Sequence, residues 1–126
     1  SYWAYSCRAH LATAICGMPS GVVSPVGEPL AMSTNYFDYV TVEVNLDCAV
    51  AHLDFNWDRF AAMRARYGPQ VTVHDPGFLG SVLVASESPE RRIGELVAEF
   101  GIELLSDYMA RSAAFAEDPA HGPAAS

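Results

Sequence analysis

The chain has 126 residues, 51% of them hydrophobic, and a formal net charge of −8. That length suits one domain or part of a larger one, and the apolar share excludes a disordered chain. A phosphate backbone repels so acidic a chain, and no apolar run approaches the roughly 20 residues that span a bilayer, so neither nucleic acid nor a membrane is an expected partner.

All seven basic residues are arginine, and there is no lysine. Ser1 is not an initiator methionine and no basic stretch precedes an apolar one. The expectation is a cytoplasmic chain without a signal peptide, beginning after a processing point or inside a longer reading frame. Cys7, Cys16 and Cys48 are isolated and odd in number, which favours reduced thiols over a disulfide framework or a zinc site.

Taken in order, residues 1–9 place Trp3, Cys7 and His10 on one face and predict the last turns of a helix. Residues 11–17, "LATAICG", are short and apolar and predict a buried strand. The strand delivers Cys16 to the bend Gly17-Met18-Pro19-Ser20, so Cys16 is either a nucleophile at an elbow or a small buried strand residue. Residues 21–24, a Pro-Val-Gly turn and "LAMS" predict a pair of short strands.

Residues 36–47 alternate Val40, Val42, Val44 and Leu46 with Thr41, Glu43 and Asn45, and predict the clearest strand. Residues 54–68 predict the clearest helix, with Asp54 or Asn56 as cap, Phe60, Met63 and Tyr67 as the apolar stripe, and Gly68-Pro69 as the stop. Residues 71–80 read as a loop and 81–88 as a strand. Pro89 opens a helical stretch that Gly101 divides into 90–100 and 102–113. Residues 113–126 read as a disordered tail, leaving 1–112 as the folded part.

The chemistry-bearing residues are sparse. A catalytic cysteine needs a base or a cation to hold its thiolate. His10 falls beyond the far end of the Cys16 strand, and His52, His74 and His121 stand alone. "HLD" at 52–54 and "HDP" at 74–76 lack a second cluster at ligand spacing, so no metal is expected. Gly17, Gly21 and Gly27 do not make a phosphate loop, and no cofactor is expected. Glu28, Asp38 and Glu43 read as solvated carboxylates. The amphipathic C-terminal helices pack on their own sheet or form part of an oligomer surface.

Residues 8–31, "RAHLATAICGMPSGVVSPVGEPLA", resemble a segment of the carbon–nitrogen hydrolase (nitrilase-like) superfamily. The resemblance rests on Arg8-Ala9, Ser20-Gly21, Ser24-Pro25, Gly27-Glu28 and Leu30-Ala31. It extends through Val42 to Asp47, where Asn45 stands in place of the usual acid, through "FNWDRFAAMRARYGPQV", and through "SPERRIGELVAEFGIELLSDYMARS" at 88–112. It covers nearly the whole chain to about residue 112 and corresponds to the C-terminal half of the family domain only.

The resemblance implies an α+β fold, the C-terminal half of an α-β-β-α sandwich with mostly antiparallel short strands and two to three helices. It implies a hydrolase for amide, nitrile or carbamoyl groups of small molecules, working as a homo-oligomer. The family's glutamate base, lysine and cysteine nucleophile precede the matched segment. With no lysine present, no residue here is assigned a catalytic role, and the chain alone is expected to be inactive. Cys16 aligns with the strand after the nucleophile's helix and is expected to be buried there. Gly17, Met18, Pro19 and Ser20 are expected to line the rim of a substrate pocket. The alternative is a stand-alone small α+β binding or oligomerisation domain.

Overall fold

The structure is a computed structural model that describes residues 2–77 and 79–120. The described chain is α+β, with two antiparallel three-stranded sheets and four helices.

The N-terminal part runs α1 (Tyr2–Cys7), β1 (Leu11–Thr13), β2 (Gly21–Val23) and β3 (Pro29–Met32), and the strands pair in that order. The β2–β3 connection follows from its sequence. Pro25 presets the first turn position, Gly27 takes φ 86°, and the Gly27 N–H reaches the Ser24 carbonyl at 2.8 Å. A turn followed by a left-handed glycine is the usual three-residue hairpin link. Ser24 Oγ also accepts from the Glu28 N–H at 3.2 Å, which closes the loop from inside.

The second sheet has the order β4 (Cys48–His52), β6 (Ser81–Ser86), β5 (Val71–His74). Its strands alternate so that Ala51, Val71, Val82 and Val84 face α2 (Trp57–Tyr67) and α3 (Ile93–Phe100). Phe60 and Met63 of α2 and Ile93, Leu96 and Val97 of α3 complete this core. Met63 and Leu96 are fully buried, and each contributes about 1.5–3 kcal/mol by leaving water. Asp58 in the first turn of α2 and Arg64 and Arg66 in its last turn suit the helix dipole. Gly101 ends α3 in the left-handed region at φ 62°, and the Ile102 N–H returns to the Val97 carbonyl at 3.0 Å.

The other face of the second sheet carries Val50 and Leu83. It is covered by Tyr5 of α1, Val26 of the hairpin turn, and Leu105 and Tyr108 of α4 (Leu105–Glu117). The two sheets therefore meet at the hairpin tip. There His74 of β5 also pairs with Glu28 at 2.6 Å.

Several expectations need correction. Residues 36–47 form no strand. β6 is flanked on both sides by β4 and β5, and the Val40–Leu46 stretch joins the ladder of none of the described strands. Val42 and Leu46 are exposed instead. The β1 strand stops at Thr13, so Cys16 is an exposed loop residue and not a buried strand residue. Cys7 is exposed as well.

Residues 71–80 contain β5, whose Val71 and Val73 face the core. The helices after Gly101 and before it run 105–117 and 93–100, so Pro89 lies outside α3. The α4 helix crosses residue 113 and includes 113–117, where a disordered tail was expected. Residues 121–126, with His121, lie outside the described residues.

Asn56 precedes α2 but does not cap it. Its side chain is fully buried and turned to other duty. Nδ2 donates to the carbonyls of His52 and Glu103 at 3.0 and 3.2 Å, and Oδ1 accepts from the Glu103 N–H at 3.4 Å. One amide thus ties the end of β4 to the link between α3 and α4.

Candidate functional site

The bend expected at the pocket rim is part of a hollow of about 320 Å³. Gly17, Met18, Pro19 and Ser20 line one side; Ser33, Thr34, Asn35 and Asp38, beyond the end of β3, line the other. The first sheet builds this arrangement. Antiparallel pairing of β1, β2 and β3 brings the chain leaving β1 beside the chain leaving β3.

Side-chain hydroxyls then fix the two segments. Thr13 Oγ1 bridges the N–H and carbonyl of Gly21 at 3.2 and 3.3 Å. Ser20 Oγ accepts from the Ile15 N–H at 2.9 Å, which folds the bend back on itself. The Ser20 N–H reaches Ser33 Oγ at 2.8 Å, and the Ser33 N–H reaches the Ser20 carbonyl at 2.7 Å. Thr34 Oγ1 accepts from the N–H groups of Tyr36 and Phe37 at 3.2 and 3.0 Å. Gly17 takes φ 77°, a conformation that glycine adopts without strain.

Cys16 stands next to this hollow but is not among its lining residues, and no histidine lines it among the described residues. The arrangement offers hydroxyl donors, a carboxylate and an apolar lip made by Ile15 and Met18. It can hold a small polar group. It lacks the paired nucleophile and base that covalent chemistry requires.

The other candidates lie elsewhere. Glu28 is engaged with His74, and Glu43 is exposed and lines a separate hollow of about 720 Å³ with Asn45, Asp47 and Arg92. His10 is half-buried, and burial pushes its pKa down. Burial pushes the Cys48 thiol up, and Asp47 adds to this. Among the described residues no group of three or more His, Cys, Asp and Glu side chains is placed to hold a metal ion. No described helix is long and apolar enough to cross a membrane.

A second polar cluster was not read from the sequence. His52 on β4 is buried, with Nε2 3.4 Å from Glu103 Oε1 and its ring 4.3 Å from that of Tyr108. Arg111 donates to both Glu103 oxygens at 3.1 and 3.3 Å and lies over the Tyr108 ring. The hydrogen bond from Arg111 holds the Glu103 carboxyl below its ordinary pKa. Tyr5 Oη and Ser81 Oγ lie 3.3 Å apart. Ser81 is fully buried, so no substrate reaches it. The cluster fastens α4 to the second sheet. Lone residues scattered over 5–111 gave no spacing by which to find it. The Ser33-Thr34-Asn35 run, by contrast, was a loop signal masked by the valine alternation that follows it.

Comparison of the chain with known protein families, with curated proteins and with solved structures finds no match in any of the three.

Proposed function

We propose that this chain is the C-terminal part of a carbon–nitrogen hydrolase domain of the nitrilase-like kind. What supports the reading in the sequence is the resemblance to that family's elements in order, from Arg8-Ala9 through the Ser20 to Ala31 stretch to the helix ending "RARYGPQ". The observation that carries the reading is the hollow, where Gly17, Met18, Pro19 and Ser20 meet the segment that follows β3. In this reading the four residues form part of the wall of a substrate pocket.

The chemistry belongs to residues outside this sequence. A glutamate takes the thiol proton of the nucleophilic cysteine, and a lysine meets the developing oxyanion. This chain contains no lysine, so the reading expects no hydrolysis from it alone. Its part is to position a small amide, nitrile or carbamoyl substrate and to supply surface for self-association.

A second reading, a stand-alone α+β binding or oligomerisation domain, draws on the exposed aromatics Tyr2, Trp3, Tyr36 and Phe37. Both readings leave these rings to be covered by something else.

The reading frame upstream of the Ser1 codon separates the two. The hydrolase reading expects an open frame encoding a glutamate, a lysine and a cysteine-bearing strand-to-helix elbow. An in-frame stop directly upstream overturns it.

A further inference from the structure

A sheet edge without a partner strand is a place where a further strand adds. Among the described residues β5 pairs with β6 on one side and with no strand on the other. The Ser86 N–H donates to the Asp47 carbonyl on the β4 side of β6, and the Glu87 N–H donates to the Gln70 carbonyl. Bonding alternates along an antiparallel pair, so Thr72 and His74 bond to β6, while Val71 and Val73 turn their backbone groups outward. The Gly68 carbonyl holds the Val71 N–H. The Val71 carbonyl and both backbone groups of Val73 are left facing the open side.

A hollow of about 840 Å³ lies along this edge. Val71, Thr72 and Val73 form one wall and Ala61, Arg64 and Ala65 of α2 the other, with Gly68 and Pro69 between them in the chain. Ala61 and Ala65 lie one helical turn apart, and their small side chains leave room for a neighbouring strand. The other outer strands are less suited. The free side of β4 is bridged at Ala51 by Leu104. β1 has three residues, and β3 begins with Pro29, which has no N–H to give.

Residues 40–46 complement this edge. Val40, Val42, Val44 and Leu46 alternate with Thr41, Glu43 and Asn45, and Val42 and Leu46 are exposed. Among the described residues no backbone group of 40–46 forms a hydrogen bond. In β5, Val71 and Val73 face the core and alternate with Thr72 and His74. Same-side residues of paired strands lie side by side, so the two alternations fit each other. The charges fit as well. Residues 38–47 hold Asp38, Glu43 and Asp47 and no basic residue, and the hollow holds Arg64 and no acidic one. Within one copy the segment is kept away from this edge, because Asn45 Nδ2 donates to the Ser86 carbonyl at 2.7 Å, beside β4.

We propose that the open edge of β5 takes residues 40–46 of a second copy of this chain as a fourth strand. Val71 and Val73 bond to its backbone, and its valines continue the Val71–Val73 face over Ala61 and Ala65. Each copy brings one segment and one edge, so two copies satisfy both contacts at once. The proposal goes beyond the hydrolase reading and needs only residues of this chain, so the upstream reading frame leaves it standing either way.

The test is size-exclusion chromatography with light scattering at chain concentrations up to about 1 mM. A species of twice the 13.6 kDa chain mass should grow with concentration. Val42→Asp puts a charge on the apolar side of the segment, and Ala61→Gln with Ala65→Gln fills the hollow. Each should weaken association about tenfold or more. All three positions are exposed, so urea midpoints should stay with the parent's and separate lost association from lost folding. Trp3→Ala, at an exposed ring of α1, should leave association unchanged. A peptide of residues 38–47, added to the ¹⁵N-labelled chain, should shift the Thr72 and Val73 amide signals and dissociate the dimer.

A chain that stays monomeric throughout overturns the proposal. So does a dimer that survives either variant, or one lost with Trp3→Ala alone. A monomer that nevertheless binds the peptide at β5 has an edge for a strand of some other protein, and overturns the assignment to a second copy.

Discussion

Gly21 begins β2 and follows Ser20 directly, so it links the hairpin to the hollow. It is buried and pairs with Met32. A Cβ built at Gly21 would lie 2.5 Å from the Ala31 carbonyl oxygen and 2.3 Å from Met32 Sδ. Sulfur at the end of a flexible side chain can swing away. The carbonyl belongs to the paired strand and is about 0.9 Å short of ordinary contact at 3.4 Å. Moving it that far takes β2–β3 hydrogen bonds past the distance at which they hold.

The expected cost of Gly21→Ala is about 1–3 kcal/mol, the usual size for overpacking. Urea unfolding followed by tryptophan fluorescence reads it as a lowered midpoint at unchanged slope. Met32→Ala alone, at a half-exposed side chain, should stay within about 0.5 kcal/mol of the parent. Combined with Gly21→Ala it should recover less than half of the loss, because the carbonyl contact remains. A Gly21→Ala variant as stable as the parent, or full rescue by Met32→Ala, refutes the reasoning. Either result would mean that the strands are less closely apposed than the structure has them.

Three further outcomes are expected. Asn56→Ala strands the buried His52 carbonyl and the part-buried Glu103 carbonyl and should cost about 1–3 kcal/mol in urea unfolding; a loss under about 0.5 kcal/mol would mean that the amide does not tie β4 to the α3–α4 link. Brief iodoacetamide treatment near neutral pH, read by mass spectrometry, should label Cys7 and Cys16 together and Cys48 last, because the first two are exposed and the Cys48 thiol is pushed up by burial and Asp47; selective fast labelling of Cys16 would identify an activated thiol instead.

The third outcome concerns acid. Glu99 is held below its ordinary pKa by the Tyr67 hydroxyl and then Arg66 and Arg91, and Glu103 by Arg111 and then His52. A depressed carboxyl stabilises the fold above its unfolded value, and that stability is lost as pH falls through the lower folded value. A Glu99→Gln, Glu103→Gln double variant should therefore lose less stability than the parent between pH 7 and about pH 3; parallel losses would show that these pairs do not carry the acid response.

Where the sequence was legible, the signal was local. Gly101 splits the C-terminal helices because a left-handed residue ends a helix wherever it falls. The Phe60, Met63 and Tyr67 spacing gives α2 its buried stripe in any context. The Pro25-Val26-Gly27 link sets its own hairpin. Strands gave no such guarantee. Residues 40–46 have the better alternation, yet Val71–His74 is the strand, because β5 has the edge of β6 beside it and residues 40–46 do not. Pairing is a property of two segments, and a pattern in one of them states only half the requirement.

The site divides in the same way. The bend at residues 17–20 was marked by its glycine, proline and serine, but nothing in it names Ser33, Thr34 or Asp38 as neighbours. Those three arrive because β3 runs antiparallel to β2 and returns the chain to Ser20. Their chemistry is also decided there. A serine or threonine in a solvated loop can donate and accept, and so says little about a ligand. Backbone amides occupy both lone pairs of Thr34 Oγ1 and one each on Ser20 Oγ and Ser33 Oγ, so these side chains fasten the two segments to each other. Asp38, read from sequence as one solvated carboxylate among several, is exposed at the edge of the hollow.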